Sequence, residues 1–127
     1  MEDNCIWEIN GLKLSLDMED AETAEKYIAS LDILKEADVL RINKDISYSE
    51  MIHTYCRIFR KFYNNLFGDG ISEKIFVGIK DNIRKYDAVY ESLIDFVYKQ
   101  RIESASRMNQ IVKRYAPKKA KNDKFNL

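Results

Sequence analysis

Ser47-Tyr48-Ser49-Glu50, followed by Ile52, Tyr55, Cys56, Phe59, Phe62, Tyr63 and Leu66, marks this chain as helical. In the first four residues a Ser hydroxyl and a Glu carboxylate stand three apart, the spacing at which each satisfies a free N–H at a helix start. The apolar residues after them recur at three- and four-residue steps. At 100° per residue they cover about 120° of arc, and Ile58 and Met51 widen it beyond the stripe a one-sided helix buries. Gly68-Asp69-Gly70 supplies the stop.

Downstream, Ser72-Glu73-Lys74-Ile75-Phe76 predicts one short helical turn that ends near Gly78. Asp81 is expected to open the longest helix, which carries Ile83, Tyr86, Val89, Tyr90, Leu93, Phe96 and Val97. Its pattern weakens after Tyr98, resumes with Met108, Ile111, Val112 and Tyr115, and ends at Pro117. Upstream, Asp17 is the expected cap of an acidic helix. Ala24, Tyr27, Ile28, Leu31 and Leu34 give it helical spacing, and it is expected to run to about Val39–Ile42. Ahead of it, Asn10-Gly11 separates Ile6-Trp7-Glu8-Ile9 from Leu12-Lys13-Leu14-Ser15-Leu16. Asn-Gly favours a type I′ turn, and Leu12, Leu14 and Leu16 fall on one strand face, so a short β-hairpin is predicted.

The expected fold class is therefore mainly α. A short N-terminal β-hairpin at about residues 5–16 precedes a small bundle of three main helices with one short helical turn. One helical domain over 1–116 and a basic, disordered tail over 117–127 is the expected division. The 127-residue length fits a single domain with its own core. Neither an internal repeat nor a linker interrupts it.

Charge cancels in sum but not along the chain. Residues 1–40 carry a net −8, residues 41–97 a net +1 and residues 98–127 a net +7. The two ends are either solvated separately or attract each other between subunits. Overall neutrality argues against tight generic nucleic-acid binding, although Lys113, Arg114, Lys118 and Lys119 of the basic tail offer phosphate contacts. Two Cys are too few for a disulfide framework and fit a reducing compartment. With the acidic start Met1-Glu2-Asp3-Asn4 no signal peptide is expected, and no apolar run reaches the length of a membrane span. A cytoplasmic protein without membrane contact is expected.

Catalytic chemistry finds few candidates. His53 is the single histidine and has no evident nucleophile partner, so a partly exposed structural role is expected. Cys5 and Cys56 lack metal-ligand spacing. Glu19, Glu22 and Glu25 lack the Glu-x-x-His partners of a di-metal bundle, and Gly68-Asp69-Gly70 is not a phosphate cradle. Neither enzymatic activity, a bound metal nor a cofactor is expected.

Binding remains. On the last helix the apolar residues from Ile83 to Val97 span about 160°, more than one packing seam uses. Eight Tyr add rings with polar tips, which suit interfaces. The expected partner contacts are Tyr63, Phe67, Phe76, Tyr86, Tyr90 and Phe96.

Several stretches together carry a family resemblance: the hairpin around Ile9-Asn10-Gly11, the acidic Glu22-Thr23-Ala24-Glu25, the run Asn65-Leu66-Phe67-Gly68-Asp69-Gly70, then Ser72-Glu73-Lys74-Ile75-Phe76 and a Tyr/Phe-rich last helix. Over most of residues 6–98 the chain is similar to the small tail-region proteins of phages and prophages of Gram-positive bacteria, the tail assembly chaperones and their neighbours. The resemblance implies a non-enzymatic role in the bacterial host cell, with an amphipathic client helix lying in a groove between the second and third main helices. Its partners are then other phage tail proteins, the tape-measure and tail-tube proteins, with a homo-oligomer as a further option. A structural subunit of the tail and a small nucleic-acid-associated regulator using the basic C-terminus are the alternative functions.

Overall fold

The computed structural model describes residues 5–41 and 45–115. Strands β1 (Ile6–Ile9) and β2 (Leu12–Ser15) pair antiparallel, with Trp7 opposite Leu14 and Ile9 opposite Leu12. Asn10 (φ 48°) and Gly11 (φ 84°) take the left-handed backbone that a type I′ turn requires. The Asn10 side chain donates to the Ile75 carbonyl at 2.8 Å, which fixes the turn against the helices.

Helix α1 (Ala21–Leu34) begins at Asp20, whose carboxylate accepts from the Thr23 N–H at 3.2 Å. The cap is thus Asp20 rather than the expected Asp17, whose side chain instead accepts from the Glu19 N–H. The helix also stops short of Val39–Ile42: the Lys35 N–H bonds to the Asp32 carbonyl, three residues back, and a 3₁₀ helix follows over Lys35–Arg41. Tightening from four-residue to three-residue bonds is a common way for a helix to end.

Helix α2 (Tyr48–Phe67) starts as its sequence directs, with the Ser47 hydroxyl accepting from the Glu50 N–H. Asn64 closes it and starts the next element. Its carbonyl accepts from the Gly68 N–H, and its side chain accepts from the Ser72 N–H at 2.9 Å, inside the short α3 (Ile71–Ile75). Gly70, at φ 86°, makes the left-handed corner between them. Helix α4 (Ile83–Tyr115) is capped by Asn82, which accepts from the Lys85 N–H, so Asp81 is released from the capping role the sequence suggested.

The core is aromatic and lies where α2, α3, the hairpin and the first half of α4 meet. Trp7 stacks on Tyr63 and Phe67, Phe59 and Phe62 meet Tyr90 edge-on, and Phe76 lies parallel to Tyr86 at 3.8 Å. Leu93 and Val97 continue this core along α4 as far as Gln100. Burying each such side chain contributes about 1.5–3 kcal/mol. Two long-range bonds tie the N-terminal segment to α4. Trp7 Nε1 donates to Ser92 Oγ at 3.0 Å, while Gln100 accepts from the Met18 N–H and donates to the Leu16 carbonyl. A small mainly α domain headed by a hairpin results, as its sequence pattern predicts.

Candidate functional site

Two places carry unusual chemistry. The first joins α2 to the loop before α4. Asp81, displaced from the helix start, takes His53 Nδ1 at 2.8 Å on one carboxylate oxygen and Arg60 Nη1 at 2.7 Å on the other. The same Arg60 nitrogen donates to the Tyr86 hydroxyl at 2.9 Å. Partial burial pushes the Asp81 carboxyl up, but the hydrogen bonds from His53 and Arg60 outweigh that effect and hold it below the usual aspartate value.

Cys56 sits one turn beyond His53 on α2, so a cysteine, a histidine and an aspartate share this corner. The combination does not make a nucleophile. Cys56 is fully buried, and burial pushes its thiol up to about 11, away from the thiolate that attack requires. The cluster's geometry is that of a clasp between α2 and the entrance to α4. Among the described residues no group of His, Cys, Asp and Glu side chains has the arrangement to hold a metal ion. Glu19 instead pairs with Arg107 at 3.5 Å.

The expected partner-contacting rings divide. Tyr63, Phe76 and Tyr86 are buried in the core, which corrects their reading as surface contacts. Phe67, Tyr90 and Phe96 are half-buried and pack on that core. The expected groove between α2 and α4 is filled, because Tyr90 of α4 lies directly against Phe59 and Phe62 of α2. The physical reason is that both helices are flanked on more than one side. Helix α2 meets α1, α3 and α4, and α4 meets the hairpin as well as α2. The wide arcs are consumed by the domain's own packing.

The second place was not singled out by the sequence reading. Past Gln100 no described residue is buried, yet α4 continues to Tyr115. These 15 residues extend the helix by roughly 22 Å at 1.5 Å per residue. Tyr98, Ile102, Met108, Val112 and Tyr115 are all more than half exposed. At 100° per residue they share one face about 140° wide. Lys99, Arg101 and Lys113 are exposed in and beside this stripe. The weak resumption of apolar periodicity at Met108, Ile111, Val112 and Tyr115 is its signal in the sequence. Of the basic tail, Lys113 and Arg114 are exposed at the end of α4, whereas Lys118 and Lys119 lie outside the described residues. No helix among the described residues is long and apolar enough to cross a membrane.

The chain belongs to a family described as a family of unknown function (DUF6673), whose model matches residues 10–126. No curated protein and no solved structure matches it.

Proposed function

We propose that this protein acts by binding other proteins rather than by catalysis, as a chaperone-like helper that holds apolar segments of phage tail proteins during tail assembly. The observation that carries the binding half is the exposed stripe Tyr98, Ile102, Met108, Val112 and Tyr115 on the distal half of α4. Large contiguous apolar patches on a monomer mark interaction sites. The tail-assembly half rests on the resemblance of residues 6–98 to small phage tail-region proteins. An open helix face of flexible and aromatic side chains suits a client held by many weak contacts and then released.

Co-expression with a fragment of a tape-measure protein tests this. The fragment is expected to stay soluble with the native chain and to precipitate with Met108→Glu/Val112→Glu, at equal amounts of folded protein. Equal precipitation with and without the native chain ends the proposal. A subunit that stays in the finished tail is the competing reading, favoured by the opposite charges of the two ends. Mass spectrometry of purified particles separates them, because a chaperone is absent there and a subunit abundant.

A further inference from the structure

The residues of α4 beyond the core fall into a seven-residue pattern. Tyr98, Ile102, Ala105, Asn109 and Val112 follow one another at alternating steps of four and three, the spacing of a coiled-coil seam, and all five are exposed. The opposite side of the same stretch faces the domain, where Gln100 bonds to Leu16 and Met18 and Arg107 pairs with Glu19. The seam therefore points away from the molecule. The positions that flank it are Lys99, Arg101, Ser106, Met108, Lys113 and Tyr115, of which three are basic and none is acidic. Among the described residues none of these three bases has an ion-pair partner. Glu103, the one acid between Lys99 and Tyr115, lies about 140° round the helix from Tyr98, well off the seam.

We infer that the distal face of α4 takes an acidic amphipathic helix of a partner protein, with apolar residues at seven-residue spacing flanked by Glu or Asp, paired to it as a short coiled coil. The inference rests on the binding role proposed for this face and names the chemistry of what fills it. Flanking charges set partner choice in such pairs, so the bases at Lys99, Arg101 and Lys113 select acids across the seam. A second copy of α4 brings the same bases face to face and is disfavoured. Asn109, on the centre line of the seam, decides between a helix and a lipid surface. Acyl chains offer a buried amide nothing to bond, whereas a polar side chain on a facing helix satisfies it and fixes the register.

Fluorescence anisotropy with the full chain and two labelled synthetic peptides reads the outcome. Both peptides carry the same apolar seam with one central Asn, and they differ only in having Glu or Lys at every flanking position. Like charges keep each peptide from pairing with itself. The native chain is expected to bind the Glu peptide about tenfold or more tighter than the Lys peptide, with a preference that shrinks as salt is added. Lys99→Glu/Lys113→Glu is expected to reverse the preference, at exposed positions and with unchanged thermal melting. Equal binding of the two peptides, binding of neither, or a preference that survives the charge reversal overturns the inference. So does binding to phosphatidylglycerol vesicles without binding to the Glu peptide. The two readings fail separately. A tape-measure fragment kept soluble by a chain indifferent to peptide charge removes only the acidic-helix inference, and a fragment that precipitates beside a chain selective for the Glu peptide removes only the tail client.

Discussion

Asp81 and His53 lie 28 residues apart in sequence and 2.8 Å apart in space, on the same carboxylate that also binds Arg60. The contact closes the connection between α2 and α4 over the short α3. It exists because Asn82, not Asp81, caps α4 and leaves the neighbouring carboxylate free to turn toward α2.

Replacing Asp81 by Ala is expected to cost about 1–3 kcal/mol, since Arg60 loses a charged partner in a half-buried position. The native chain should also lose stability in acid. The Asp81 carboxyl is held below its unfolded value, so its contribution is complete above the unfolded pKa near 4 and disappears as pH falls through the lower folded value. Urea unfolding of the native chain and Asp81→Asn between pH 2.5 and 6 checks this. The gap between them should narrow toward the acid end.

Gln100 bridges the Met18 N–H and the Leu16 carbonyl from within α4. Gln100→Leu strips both backbone groups of their partner and should destabilise by about 2–3 kcal/mol despite adding an apolar side chain. Thermal unfolding followed by circular dichroism reads the loss, and amide exchange should show it concentrated at the N-terminal segment.

The Tyr63 hydroxyl is buried without a hydrogen-bond partner among the described residues. Tyr63→Phe removes an unsatisfied group while keeping the ring on Trp7 and Phe76. Stability is expected to stay level or rise by about 1 kcal/mol, whereas Leu93→Ala, at an equally buried site, should cost about 2–5 kcal/mol. Denaturant midpoints of the two variants in parallel make the comparison.

Met108→Glu/Val112→Glu should leave stability within about 0.5 kcal/mol of native, because both positions are exposed beyond the last buried residue of α4. Partner binding should fall sharply in the same protein. A large drop in melting temperature contradicts the placement of this segment outside the core.

How much was legible in advance depended on the range of the interaction. The Asn10-Gly11 turn, the Ser47 cap and the Gly68–Gly70 break were readable because each is made by neighbours within a few residues. The exact caps of α1 and α4 were misassigned by three residues and by one, since adjacent polar residues compete for one role and the packing selects between them. Apolar periodicity reports how wide a helix face is, not how many neighbours surround it, so the burial of Tyr63, Phe76 and Tyr86 is not legible in the sequence.

Local chemistry in the chain therefore determined the element types, their order and the opposite charges of the two ends, all of which arise from residues within a turn or a short segment of one another. Only the tertiary structure decided where the spare apolar surface lies. Packing against the hairpin, α2 and α3 consumes the first half of α4 and ends at Gln100, while the helix runs on to Tyr115 because its own backbone hydrogen bonds need no core to continue.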